Sequence, residues 1–252
     1  MTDDLDNGLG NRMTDRMTKS ERDQSFPDSE PRDAATLILI DRSSSEPKVL
    51  LGRRHAGHKF MPGKFVFPGG RIEPLDATMV AATELHAAAA EKLATRLRDA
   101  GVAAPRAFPL AAIRETFEET GLMLGVKRDA PPAVPDPQWQ GFAAARVFPD
   151  LANIHFVARA ITPPRRPKRF DTRFFTADAQ TIADRIEGVV GPDSELVELV
   201  WIPIAEAKRL DMPTITGVVL DELNARVRAG MGHDLPVPFY FMEDQQFRRE
   251  LL

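Results

Sequence analysis

Phe67-Pro68-Gly69-Gly70 and, well downstream, Arg114-Glu115-Thr116-Phe117-Glu118-Glu119-Thr120-Gly121-Leu122 are the stretches on which the reading of this chain turns. The second predicts a short helix. Ala111 and Ala112 are good helix formers. Leu110, Ile113 and Phe117 fall on one side at apolar spacing, and Gly121 is placed to end the helix in a left-handed conformation. Glu115, Glu118 and Glu119 share the opposite face, because residues three and four apart on a helix are neighbours. Most glutamate clusters are simply solvated faces. Three carboxylates converging on one point need positive charge among them, and with the glycine pair upstream a hard divalent cation held by oxygen ligands fits best. The expected ion is Mg²⁺, with Mn²⁺ as a substitute, and phosphate is its usual substrate.

On these residues the chain resembles the Nudix hydrolases, whose box reads G-x5-E-x7-R-E-U-x-E-E-x-G-U with U aliphatic. Gly70 matches the first glycine, and Arg114, Glu115, Glu118, Glu119, Gly121 and Leu122 match the second half. Asp76 stands in place of the first glutamate and Thr116 in place of an aliphatic residue. The larger departure is length: residues 77 to 113, thirty-seven in all, lie where the pattern has seven. Ala77 to Ala100 is rich in Ala, Leu and Glu and predicts an inserted helix stopped at Gly101, the insertion covering about 77–106. Val80, Leu93 and Leu97 are available for burial. Asp76 is then the N-cap of that helix or a supporting residue near the metal, and the two roles are compatible. An insertion need not disturb the site if its ends stay close. An interrupted box of this kind is similar to that of the animal-type coenzyme A diphosphatases.

Composition bounds the alternatives. With 252 residues and 43% hydrophobic content, the chain can build one sizeable core. A net charge of −4 argues against a dedicated nucleic-acid binder. The absence of cysteine removes disulfides, thiolate metal sites and cysteine nucleophiles. No apolar run reaches membrane-spanning length, and no signal-peptide core is visible, so a cytoplasmic location and no membrane partner are expected. Residues 1–32 are poor in apolar side chains and are expected to be a disordered tail, with residues 33–252 as a single domain.

Ala35 to Ile40 predicts a fully buried strand, and Lys48 to Arg54 a second strand antiparallel to it. Phe65-Val66-Phe67 leads into the glycine pair. Asn153–Ile161, Asp171–Thr176 and Leu196–Ile202 read as further strands, Ala205–Leu210 and Thr214–Ala229 as helices, and Gln138–Ala145 is ambiguous. This mixture predicts an α/β fold, a sandwich of helices on both faces of a mixed sheet, which is also the architecture the Nudix resemblance implies.

Three flanking segments carry further candidates. Leu50 to Arg54 with Gly57 to Gly70 resembles the run into the box of coenzyme A-cleaving relatives. Arg53, Arg54 and Lys59 are candidate phosphate contacts, and Lys64 could point at the site. Ile161 to Phe175 is similar to a turn of the same subgroup, with Arg165 and Arg169 as candidate contacts. Basic residues exposed on a strand edge or in a hairpin turn are the alternative for both. Glu195 to Pro203 resembles a segment that supplies an extra acid. Glu198 is preferred and Glu195 comes second, and only one of them can face inward on a strand. Trp201 is read as core. The five histidines show no ligand spacing.

The resemblance implies Mg²⁺-dependent hydrolysis of a diphosphate bond. Glu115, Glu118 and Glu119 would hold the metal with a carbonyl of Gly69 or Gly70. Arg114 would orient the acids, and one glutamate or Glu198 would act as base. Coenzyme A or an acyl-coenzyme A is the preferred substrate. NADH, ADP-ribose and dinucleoside polyphosphates are alternatives, and a non-catalytic nucleotide sensor is disfavoured because the box acids are kept. Two copies pairing as a homodimer would also accord with the resemblance.

Overall fold

The computed structural model describes residues 16–17, 20–58, 61–97 and 104–252. The strand β1 (Arg32–Asp41) is apolar on both sides, and Leu37, Ile38, Leu39 and Ile40 are all fully buried. A strand buried on both faces belongs inside a sheet. On one side runs β2 (Lys48–Arg54), antiparallel with Ile40 opposite Val49. The short strands β3 (Phe65–Val66) and β4 (Gly69–Arg71) add to β2 and β1 respectively. Two small ribbons lie outside this sheet: β5 (Leu122–Leu124) pairs with β10 (Ile182–Arg185), and β6 (Val126–Lys127) with β7 (Val147–Phe148). The main sheet continues with β8 (His155–Ile161), β9 (Phe170–Asp178), β11 (Leu196–Pro203), β12 (Pro238–Glu243) and β13 (Gln246–Leu251). Its order is β11-β2-β1-β9-β8-β12-β13. The β1/β9 and β8/β12 pairs are parallel and the others antiparallel, so the sheet is mixed.

Five helices complete the described fold: α1 (Ala87–Ala94), α2 (Ala107–Thr120), α3 (Gln140–Ala145), α4 (Ile204–Ala207) and α5 (Thr214–Arg228). Alternation along β1 divides the core in two. Leu37 and Leu39 pack with Phe108, Leu110 and Ile113 of α2 and with Trp139 and Phe142. Ile38 and Ile40 pack with Val218, Val219, Leu220 and Leu223 of α5. This is the expected arrangement of helices on both faces of a mixed α/β sheet.

Several expectations are corrected. The long inserted helix is absent from the described part of 77–100. A 3-10 turn at Asp76–Thr78 comes first, and the α-helix occupies only Ala87–Ala94. Thr95 ends it in an extended conformation, and Arg96 follows at positive φ. Gly101, the expected stop, lies outside the described residues. Val80 is exposed, whereas Leu93 is buried. Within the segment expected to be a disordered tail, residues 22–30 are mostly exposed, but two acids bond to the domain. Glu21 accepts from the Thr214 amide at 2.8 Å and from its hydroxyl at 2.9 Å, and Asp28 accepts from Arg169 at 2.8 Å. Residues 1–15 lie outside the described set. Trp201 is 41% exposed rather than core. The β12–β13 hairpin has no counterpart in the sequence reading.

Candidate active site

The site is built where α2 crosses β4. Gly121, at φ 77°, ends α2, and its amide donates to the Phe117 carbonyl at 2.8 Å. Thr116, which replaces an aliphatic residue of the box, is fully buried. Its hydroxyl donates to the Ala112 carbonyl at 2.7 Å, which makes a polar side chain tolerable there. β4 pairs antiparallel with β1, Gly69 opposite Thr36 and Gly70 opposite Ala35. A Cβ on Gly70 would overlap the Glu115 carboxylate, so the missing side chain is what lets the acid lie against the backbone.

Arg114 organises the acids. It is 1% exposed. Its Nε and Nη2 donate to the two carboxylate oxygens of Asp76 at 2.8 and 3.0 Å. Nη2 also donates to the Arg71 carbonyl at 2.9 Å. Nη1 reaches Glu115 at 2.9 Å and Glu118 at 3.2 and 3.3 Å. Burial pulls the guanidinium pKa down, but the hydrogen bonds and charge of Asp76 outweigh it and hold the group well above its ordinary value. Asp76 is fully buried in the 3-10 turn and accepts from the Glu73 amide at 2.8 Å. It is not the cap of a long helix. The insertion that starts beside it closes on itself: Arg106, at the start of α2, donates to the Ala77 carbonyl and pairs with Glu84 at 3.1 Å.

Burial pushes the Glu115 carboxyl up to about 7 despite the neighbouring Arg114. Burial also raises Glu118. Glu119 is raised well above the carboxylate range, first by burial and then by the charges of Glu195 and Glu115. The Gly69 amide, donating to Glu119 at 3.2 Å, opposes that shift only in part. Negative charge at this point is under-compensated. The oxygen-only set of Glu115, Glu118, Glu119 and the Gly70 carbonyl has the chemistry of a hard-cation site. Their positions correct one expectation, however. Among the described residues no three His, Asp or Glu side chains come together as a metal-holding group. Glu115 and Glu119 line the central cavity, whereas Glu118 does not and lies against Arg114.

That cavity, about 430 Å³, is lined by the glycine pair, Arg114, Glu115, Glu119, Arg54, Glu195, Lys168 and Phe170, among others. Several other expectations are corrected against it. Glu195, not Glu198, faces the cavity, where it accepts from Arg54 at 2.7 Å. Glu198, opposite Arg53 in the β11–β2 pairing, bonds to it at 2.7 Å away from the cavity, whereas Glu195 precedes the strand. Arg53 is therefore not a cavity residue, and Arg54 is. Lys64 is held by Asp211 outside the cavity. Arg165 and Arg169 are taken up by the N-terminal segment: Arg165 Nε donates to the Phe26 carbonyl at 3.5 Å, and Arg169 donates to Asp28. The adjacent Lys168 lines the cavity in their place. Lys59 lies outside the described residues. The basic run 165–169 was the signal for Lys168, but sequence alone does not say which way each residue of a turn points. Met61, Glu73 and Gln138 also line the cavity and were not foreseen.

An acidic helix over a glycine-bearing strand, on a mixed sheet covered on both faces, defines the class, and known proteins agree with it. No family model matches the chain. A Caenorhabditis elegans protein provisionally named nudix hydrolase 7 is 29% identical over 182 residues, covering 68% of this chain and 51% of that protein. This chain thus spans about half the length of that relative. The crystal structure of a Nudix hydrolase from Alicyclobacillus acidocaldarius superimposes with a TM-score of 0.55 at 29% identity, over 78% of this chain and 92% of that one. In sequence and in fold the chain is similar to Nudix hydrolases. Among the described residues no helix is long and apolar enough to cross a membrane.

Proposed function

We propose that the chain hydrolyses the diphosphate bond of a nucleoside diphosphate linked to a second moiety, with Mg²⁺ as cofactor. The preferred substrate is coenzyme A or an acyl-coenzyme A, giving 3′,5′-ADP and (acyl-)phosphopantetheine. The observation that carries the reaction class is the under-compensated pair Glu115 and Glu119 on the cavity wall beside Gly70, braced by the buried Arg114–Asp76 pair. The substrate preference has its own support. Both segments that resemble coenzyme A-cleaving relatives reach this cavity, the first through Met61, Phe67, Gly69 and Gly70 and the second through Lys168, Phe170, Thr172 and Phe174.

Hydrolysis forms a bond from water oxygen to phosphorus and breaks the bridging P–O bond in line with it, with negative charge building on the transferred and leaving oxygens. A divalent cation, when bound, neutralises that charge and makes water more acidic. Glu115, Glu119 and the Gly70 carbonyl are the residues that would hold it, joined by Glu118 once its carboxylate turns from Arg114 to the cavity. Arg114 fixes the rotamers of Glu115 and Glu118 without itself reaching substrate. Glu195 is the base the geometry favours over Glu198, since it faces the cavity and Arg54 orients it. Lys168 and Arg54 offer positive charge to the phosphates.

Chromatographic product analysis tests this reading. Purified protein with Mg²⁺ is offered coenzyme A, acetyl-coenzyme A, NADH, ADP-ribose and diadenosine polyphosphates, with Glu118→Gln as control. Release of 3′,5′-ADP from coenzyme A, lost in the variant, is expected. Cleavage of another dinucleotide only would keep the reaction and discard the substrate. Tight nucleotide binding without any cleavage would discard the enzyme.

A further inference from the structure

A second cavity, about 100 Å³, adjoins the first, with Met61, Lys168, Thr172, Phe174 and Ile215 lining both. Its character is different. Beyond the shared residues its wall includes Met17, Ala160, Pro163 and Phe247, so a molecule running from the acids into it passes from charge to apolar surface. Methionines at such a wall adapt to irregular aliphatic shapes. Among the polar groups on this wall, one stands out. Arg166 lines this cavity, and its Nη1 is buried with no hydrogen-bond partner among the described residues. A buried donor left unpaired is costly, and the great majority in folded proteins are satisfied.

The identity of the missing acceptor follows from the other residues there. A phosphate seeks several donors and positive surroundings. Here it would meet one orphan N–H, apolar walls, a Lys168 that already has a partner, and the carboxylate of Glu21, which lines the same cavity. A neutral carbonyl oxygen needs one donor, and aliphatic carbons on either side of it suit the apolar wall. We propose that this cavity is a subsite for a neutral aliphatic arm bearing an amide or ester carbonyl, the carbonyl accepting from Arg166 Nη1. The arm belongs to the moiety on the far side of the diphosphate from the nucleoside. Only this last placement rests on the hydrolase reading above.

The test is ligand-observed saturation-transfer NMR on the full chain without metal, with pantetheine as a phosphate-free arm and adenosine and inorganic phosphate as competitors. Pantetheine binds wild type, neither competitor displaces it, and binding is lost in Arg166→Met and in Ala160→Leu, which fills the cavity. Circular dichroism confirms that each variant is folded, and either one suffices. Kinetics give a second readout: Arg166→Met raises KM for coenzyme A about tenfold. The proposal is overturned if wild type does not bind pantetheine, if adenosine or phosphate displaces it, or if folded variants bind it as wild type does. Pantetheine binding without hydrolysis of any diphosphate would sink the hydrolase reading and leave the subsite. Coenzyme A cleavage indifferent to both variants would do the reverse.

Discussion

Arg114 and Asp76 form the most consequential pair in the molecule. Both are essentially inaccessible, and the bidentate contact satisfies two guanidinium nitrogens while Nη1 is left for Glu115 and Glu118. Breaking a buried pair by removing one partner strands the other charge, at a cost of about 3–5 kcal/mol. Asp76→Ala should lower unfolding free energy in urea by that order. If the loss is below about 1 kcal/mol, comparable to an exposed pair, Asp76 is not the brace described here. The two candidate bases separate just as cleanly. Glu195→Gln should reduce kcat by about 10²-fold or more, in the range of lost general-base catalysis, and Glu198→Gln should change it by less than about threefold. The opposite ranking in a steady-state assay would restore Glu198. Glu115 and Glu119 on one cavity wall were legible in the sequence because residues four apart share a helix face, whereas the turn of Glu118 toward Arg114 was not. The choice between Glu195 and Glu198 was not either, because Glu195 lies just before β11 and strand alternation does not fix the direction of a residue outside the strand.

At the scale of elements, periodicity again decided what could be read. β1, β2, β8, β9, β11 and α5 were visible as apolar runs, strand alternation or helix spacing. The insertion was misread because its alanines favour helix intrinsically, whereas its ends are fixed by tertiary contacts. Lys92 on α1 donates to the carbonyls of His233 (2.9 Å), Asp234 (3.1 Å) and Leu235 (2.6 Å), and Arg159 on β8 holds the carbonyls of Thr95 (3.0 Å) and Arg96 (3.1 Å). The β12–β13 hairpin escaped notice because its turn, Asp244-Gln245, adopts positive φ at both positions without the glycine that usually announces such a turn. Removing the lysine tests the anchoring of the insertion. Lys92→Met should destabilise by about 1–3 kcal/mol, since three carbonyls lose a charged donor. It should also raise hydrogen exchange in Ala87–Ala94 and in residues 232–236 while leaving α2 protected. Faster exchange throughout α2 would mean that the insertion and the site fold as one unit. Gly70→Ala addresses the site directly: its Cβ would displace the Glu115 carboxylate, so Mg²⁺ affinity measured by calorimetry should fall about tenfold or more. Unchanged affinity would remove Glu115 from the metal-holding set.

For the molecule as a whole, the acids make stability depend jointly on pH and metal. Glu115 rises from 4.5 to about 7 on folding, and Glu118 and Glu119 rise as well. The folded state therefore holds more protons than the unfolded one in that range, and stability falls as pH climbs through the folded pKa. Histidine acts in the opposite sense. Burial, with His233 next to it, lowers His155 from 6.5 to about 4, and burial also lowers His233. The folded state there holds fewer protons, so stability is lost as pH falls below 6.5. The two effects overlap below 6.5 and separate above it, where the histidines are neutral in both states. Between about pH 6.5 and 8 the metal-free protein should thus lose melting temperature from the acid cluster. A cation that binds only the ionised, folded site adds RT ln(1 + [L]/Kd), so the melting-temperature gain from Mg²⁺ should be larger at pH 8 than at pH 6.5. Glu115→Gln should flatten the metal-free slope and shrink the Mg²⁺ gain. A gain equal at both pH values, or equal in wild type and variant, would show that the ion binds elsewhere on the surface and that the acids of α2 do not hold it.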